Sequence, residues 1–349
     1  MKNGGYEDNF TIHIEGESMN QDEWKIIDLK NGRYEVRIKL KQKGKYLIFV
    51  RYNGIDINSS PFQIYAFPKV KPRNYNEINQ PIFTFGSSGS GNGQLNSPRG
   101  VSINPYGCIY VCDQSNHRIQ KFNSEGKLIS ILGILGNGNG NGQFSYPYGV
   151  ATNSKGNILV CDQNNHRIQT FDPEGRLIKT FGSNGKENGQ FSCPRGICVD
   201  LDDNILVCDH NNHRIQKFDS EGRFIFGFSG YGNDQFSYPW GIATNSNGNI
   251  LVCDNGNHRI QIFDTYGRFI SIFGSKGNGN GQFKNPLGIC VDLNDNILVC
   301  DRNNNRVQVF TPFGEYITQF KVKEPTDITI DPKTQNIIVC GGDNKVTIY

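Results

Sequence analysis

The 349-residue sequence contains no apolar run of the ~20 residues that a membrane-spanning helix requires. Its opening, MKNGGYEDNF, lacks the apolar centre of a signal peptide, and no lipidation motif is present. These absences make a cytoplasmic protein with no membrane partner the expectation. Charge of one sign is also missing: 36 basic residues stand against 33 acidic ones, a net charge of +3. Residues 1–79 hold 13 of the basic and 10 of the acidic side chains, which leaves 23 of each in the remainder. That remainder lacks the global basic excess of many nucleic-acid binders, although a local basic patch stays open. None of the 10 cysteines forms a CxxC pair, so the usual zinc spacing is absent. Cys112, Cys161, Cys208, Cys253, Cys300 and Cys340 each follow Val in one repeated slot, and Cys198 and Cys290 share a slot with Ala151, Ala243 and Ser102. A slot that accepts Cys, Ala or Ser selects a small buried side chain, so free thiols are expected rather than disulfides. No segment shows the apolar spacing of an amphipathic helix.

What the sequence has is repetition. Asp113, Asp162, Asp209, Asp254 and Asp301 follow one another at intervals of 49, 47, 45 and 47 residues. Each unit runs from a Gly-rich stretch ending in GQ or DQ through Pro-x-Gly to a short apolar segment. An ILVCD-type segment, a DxxNHR turn, a RIQxF segment and an LIKTF-type segment follow. Four short strand-like segments with a period in the forties indicate propeller blades. After the fifth unit the chain supplies three more strands and stops at Tyr349, while PIFTF at 81–85 matches a fourth strand with no blade of its own. Pairing of strand 82–85 with the last blade closes a ring of six, which removes an exposed sheet edge. Residues 1–67 differ: five segments alternate polar and apolar residues and predict a small antiparallel sandwich. Residues 68–80, PKVKPRNYNEINQ, read as a linker. The fold class expected is all-β, with 81–349 as the propeller.

The GQF…PxG…VxD…NxRIQxF pattern resembles the NHL repeat, whose name-giving triplet stands here as Asn165-His166-Arg167. The stretch from DLKNGRYEV to NSSPFQIYAF is similar to a filamin-type immunoglobulin repeat. The order resembles the TRIM-NHL proteins. That resemblance implies target recognition, protein or single-stranded RNA, linked to ubiquitin-dependent turnover and post-transcriptional control. No RING, B-box or coiled-coil pattern precedes the filamin-like part, so ligase chemistry is expected only through a partner or a missing N-terminal segment. The filamin-like part is short and is expected to lack one or two leading strands.

Each Asp–Arg pair, Asp113–Arg118, Asp162–Arg167, Asp209–Arg214, Asp254–Arg259 and Asp301–Arg306, spans one tight turn. The pair reads as a charge-assisted staple, since a catalytic carboxylate needs a free proton path. His117, His166, His213 and His258 are spread around a ring and cannot converge on one ion, so they are expected to hydrogen-bond within or between blades. The Gly-rich tracts lack a following helix and the Gly-Lys-Ser/Thr of a phosphate loop, and read as flexible connections. No catalytic residue, metal site or cofactor is expected, and no ring of axial carboxylates that a metal-dependent propeller enzyme would need.

Equivalent copies build the ring; residues that vary within the constant frame are the candidates for binding. The x of Pro-x-Gly is Arg99, Tyr148, Arg195, Trp240 and Leu287, with Thr326 near the matching place. Tyr146 and Tyr238 precede two of the prolines, and His210 is unique to its turn and expected to be free for a ligand. All should lie on one face, around the axis. Aromatics interleaved with arginines suit single-stranded RNA and peptide hot spots alike. The resemblance adds that RNA-binding relatives use this face.

Overall fold

The computed structural model describes residues 73–78, 80–134, 136–231 and 234–349, together with the strand backbones of residues 10–66. Two compact units divide the chain, Met1–Lys71 and Pro72–Tyr349. In the first, Phe10–Gly16, Ile55–Asp56 and Phe62–Ala66 pair antiparallel with Gly44–Tyr52, and Glu23–Asp28 pairs with Tyr34–Lys39. The bounds between these strands, and the question of missing leading strands, lie outside the described residues.

The second unit is a six-bladed propeller of four-stranded antiparallel sheets. Blade 2 shows the plan: Pro147–Thr152 lies innermost, followed outward by Ile158–Asp162, Arg167–Phe171 and Leu177–Phe181. The sixth blade is composite, because Phe83–Phe85 pairs with Val346–Ile348 as its outermost strand. The middle strands are β-branched and buried on both faces. Ile158, Val160 and Cys161 are fully buried, as are their counterparts Ile205, Val207 and Cys208 to within 2%. Adjacent blades share one core each. Between blades 2 and 3, Phe191 from the GQF motif meets Phe218 from RIQxF with ring centroids 5.5 Å apart. Burying a ring of this size is worth about 1.5–3 kcal/mol, which explains why both positions repeat as Phe.

The Gly-rich tracts, expected to be flexible, are hydrogen-bonded loops. In blade 2, Gly140 N donates to Gln143 Oε1 at 3.1 Å, and Arg167 donates to the carbonyls of Asn139, Gly140 and Gln143 at 2.7–2.9 Å. The guanidinium thus reaches outward to the tract as well as down to Asp162. Part of the stretch read as linker also docks. Tyr75 is 7% exposed, its ring enters the core shared by blades 5 and 6, and its hydroxyl donates to Asp292 Oδ2 at 2.7 Å. Nothing periodic marks Tyr75, since its partner lies 217 residues away.

Candidate recognition face

The DxxNH turn is a tightly satisfied hub. Asp162 is fully buried, and its Oδ2 accepts from Arg167 Nε at 2.7 Å, Asn165 Nδ2 at 2.9 Å and Gln169 Nε2 at 3.1 Å, while Oδ1 accepts from Ser145 N at 2.7 Å. Burial pushes this carboxyl up, and the bonds from Ser145, Asn165 and Arg167 oppose the shift. The same Arg–Asp bond measures 2.7 Å for Arg118–Asp113, Arg214–Asp209, Arg259–Asp254 and Arg306–Asp301. Blade 6 has Gly341 opposite Pro325 where blade 2 has Asp162 opposite Pro147, so it carries no staple.

The histidine after each turn adopts the left-handed conformation, with φ of 53–58° at His117, His166, His213 and His258. This points Nδ1 at the next blade. Tyr146, Cys193, Tyr238 and Asn285 donate their backbone N–H groups to these four nitrogens at 3.1–3.2 Å. Asn305 and Asn344 complete the ring, accepting from Glu324 N at 2.9 Å and Ser97 N at 2.8 Å through their side-chain oxygens. A neutral imidazole and an asparagine amide supply the same acceptor in the same place. Among the described residues, no group of three or more His, Cys, Asp or Glu is arranged to hold a metal ion.

The Pro-x-Gly glycines bring the unrepeated residues together. A Cβ at Gly149 would run into the Arg195 carbonyl, one at Gly196 into that of Trp240, and one at Gly241 into that of Leu287. Neighbouring inner strands therefore touch backbone to backbone at the axis. Arg99, Tyr148, Arg195 and Trp240 consequently line one small cavity of about 30 Å³. The Arg195 guanidinium carbon lies 3.9 Å from the Trp240 ring centre and 5.2 Å from that of Tyr148; Arg99 approaches Tyr148 at 5.9 Å. Tyr148 and Trp240 meet edge to face at 5.3 Å. Leu287 and Thr326 are buried at 2% and 3% exposure and close the ring.

Sequence position alone does not reveal how enclosed these groups are. Tyr148 is only 6% exposed, and its hydroxyl and the buried Arg195 Nε have no hydrogen-bond partner among the described residues. Burial raises the Tyr148 hydroxyl and lowers the Arg195 guanidinium from their ordinary values. His210 is 5% exposed, not free in its turn. Its ring stands 5.1 Å from both Trp240 and Tyr238, and its Nδ1–H donates to the Pro239 carbonyl at 3.1 Å. Burial, with the Arg195 charge adding to it, pushes its pKa down to about 3, so the ring is neutral. Tyr146 and Tyr238 are 38% and 46% exposed, each edge-on to a clasp histidine, His117 and His213, at 4.5 Å. An aromatic row thus runs from Tyr148 at the axis through Trp240 and His210 to Tyr238 at the rim.

One axial residue departs from the expectation of no carboxylate there. Asp327 occupies the glycine position of the motif in blade 6, in the sequence Pro325-Thr326-Asp327. Its remaining exposure is to the axial channel, and its Oδ2 accepts from Val101 N of blade 1 at 2.9 Å. Thr326 Oγ1 donates to Pro98 O at 3.1 Å, and Cys340 Sγ to Arg99 O at 3.3 Å, so side chains bridge this seam where glycines close the others. Burial pushes the Asp327 carboxyl up to about 7. Writing PTD beneath PRG and PYG would have exposed this residue, as the single acid in a column of glycines.

Comparison with known proteins matches residues 95–122, 144–171, 191–218, 236–263 and 283–310 to the NHL repeat, and residues 1–63 to the Filamin/ABP280 repeat. The chain therefore carries a filamin repeat followed by NHL repeats. Over 101 residues it is 38% identical to the E3 ubiquitin-protein ligase TRIM71 of Rattus norvegicus, a match covering 29% of this chain and 12% of that protein. Over 90 residues it is 38% identical to protein lin-41 of Caenorhabditis elegans, covering 25% of this chain and 8% of that one. This chain thus spans only a small part of these relatives. A streptogramin B lyase structure superposes with a TM-score of 0.53 at 17% identity, covering 76% of this chain and 86% of the other. At that identity the likeness shows the propeller fold alone.

Proposed function

We propose that this filamin–NHL chain is a non-enzymatic recognition module whose propeller binds a macromolecular target on the Pro-x-Gly face. The observation that carries the reading is the convergence of Arg99, Tyr148, Arg195 and Trp240 on one axial cavity. These are the residues that vary within a frame otherwise repeated blade by blade. The TRIM71 and lin-41 similarity falls in the NHL part of the chain and supports a protein- or RNA-binding scaffold. Arginine, tyrosine and tryptophan are the side chains that dominate protein hot spots and also those that hold single strands. Ubiquitin-dependent turnover enters this reading only through a partner or a segment outside this sequence, and the site of action is the cytoplasm.

The test is crosslinking in cells, with RNA and protein partners read in parallel and the crosslinked residues mapped. Crosslinks centred on Arg99, Tyr146, Tyr148, Arg195, Tyr238 and Trp240 support the reading; crosslinks confined to the opposite face sink it. Salt then separates the target classes. A bound RNA loses affinity steeply between 50 and 200 mM salt, roughly as the number of phosphates neutralised, whereas a protein hot spot does not.

A further inference from the structure

Resting on that reading of the face, we infer that the axial mouth is a receptor for one carboxylate, presented by an acidic side chain of a protein partner. The first support is a contrast among arginines. Arg118, Arg167, Arg214, Arg259 and Arg306 each have a buried aspartate at 2.7 Å. Arg99 and Arg195 have no carboxylate partner among the described residues. Arg99 spends one N–H on Gln114 Oε1 at 3.2 Å, and Arg195 is held against the faces of Trp240 and Tyr148. Both guanidiniums flank the same tyrosine ring.

The second support is the hydroxyl of that ring. Tyr148 is more than nine-tenths buried, lines the cavity and has no partner for its O–H among the described residues, and the Nε–H of Arg195, whose guanidinium lies 5.2 Å from the same ring centre, is equally bare. A buried donor left unmade is costly, so a site that keeps two of them together is arranged for an acceptor that comes from outside. One carboxylate offers two oxygens and about four lone pairs, enough for the tyrosine O–H, the Arg195 Nε–H and an Arg99 N–H.

The third support is size. A cavity of about 30 Å³ takes a carboxyl-sized group and leaves no room for a nucleobase. Asp327 lines the same cavity, is already tied to Val101 N, and penalises a dianion more than a monoanion. Around the mouth, exposed Tyr146 and Tyr238 offer flat apolar surface for the flanking peptide.

Trp240 supplies the readout, because Trp24 is the only other tryptophan in the sequence. The full chain with Trp24→Phe reports on the mouth by fluorescence. The probes are end-blocked hexapeptides randomised around one central Glu, the same pool with Gln, the Gln pool with a free C-terminal carboxylate, and an oligouridine. The Glu pool should shift Trp240 emission at millimolar concentration and the Gln pool should not; Arg195→Gln should weaken the effect about tenfold or more. Tyr148→Phe should weaken it too while leaving the melting temperature unchanged or raised, as expected if the hydroxyl serves only the ligand. The inference is overturned if Glu and Gln pools behave alike, if neither responds, or if Arg195→Gln keeps the response. A response to the free C-terminal pool alone assigns the carboxylate to a chain end and overturns the side-chain source. A response to oligouridine alone sinks the carboxylate receptor and leaves the recognition face standing, whereas loss of the face itself would show as crosslinks elsewhere.

Discussion

The turn around Asp162 and the mouth around Tyr148 both use arginine, for opposite ends. In the turn, one buried carboxylate takes four donors, and three of them, Asn165, Arg167 and Gln169, also donate to carbonyls of the Gly-rich tract. At the mouth, Arg195 lies 5.2 Å from the Tyr148 ring centre, and Tyr148 Oη and Arg195 Nε are buried with no hydrogen-bond partner among the described residues. The turn recurs in five blades; the mouth occurs once. The difference teaches where to look in a repeated fold: a satisfied, repeated polar cluster carries the architecture, and an unrepeated cluster with polar groups left over is where a ligand is expected.

The comparison breaks most visibly at the turn. Asp162→Ala removes the carboxylate paired with the Arg167 guanidinium and leaves Ser145 N without its acceptor, and should cost about 3–5 kcal/mol in denaturant unfolding. A loss under about 1 kcal/mol would mean the staple is incidental.

Asp327 gives the next largest effect, through pH. Its folded pKa of about 7 stands above the unfolded value of 3.8, so the folded state holds the proton longer. Stability from this residue is greatest at and below pH 4 and falls as pH rises towards 7. Asp327→Asn keeps an acceptor for Val101 N and should flatten that decline, gaining on the order of 2–4 kcal/mol at pH 8 over the wild type. An unchanged pH profile between 4 and 8 would place Asp327 in contact with bulk solvent.

The histidine clasp slopes the other way. Burial lowers the His258 pKa below 6.5, so its Nδ1 accepts from Asn285 N above that value, and the bond is lost as pH falls through the folded pKa. Asn305 already does the same work in blade 5. His258→Asn should therefore change stability by about 0.5 kcal/mol or less at pH 7 and reduce the acid loss in thermal scans at pH 5. No loss at all is expected at the mouth, where Tyr148→Phe should leave the unfolding free energy unchanged or raise it by up to about 1 kcal/mol.

Much of this architecture is legible in the amino-acid order because its causes are local. The Asp–Arg staple spans five residues, and Pro-x-Gly precedes it at a constant offset, so the blades, their order and the face of the variable residues can be read directly. The composite sixth blade is legible too, because PIFTF repeats a strand motif. What lies beyond reach is set by pairs far apart in the chain. Tyr75 finds Asp292, Asp327 finds Val101, and Arg195 finds Trp240 across a seam. The burial of Tyr148 and His210 depends on how closely glycines let neighbouring strands approach, which no single repeat displays. The clasp required knowing that a left-handed φ aims each Nδ1 at the following blade.

The central claim is that the mouth binds the target and does not hold the ring together. Its most direct measurement is recovery of crosslinked partners from cells expressing the full chain with Arg99→Gln, Tyr148→Phe, Arg195→Gln and Trp240→Phe combined, scored beside the melting temperature. The account predicts that partners are lost while cooperative unfolding near the wild-type temperature is kept. Undiminished recovery of every partner by a folded quadruple variant would contradict it.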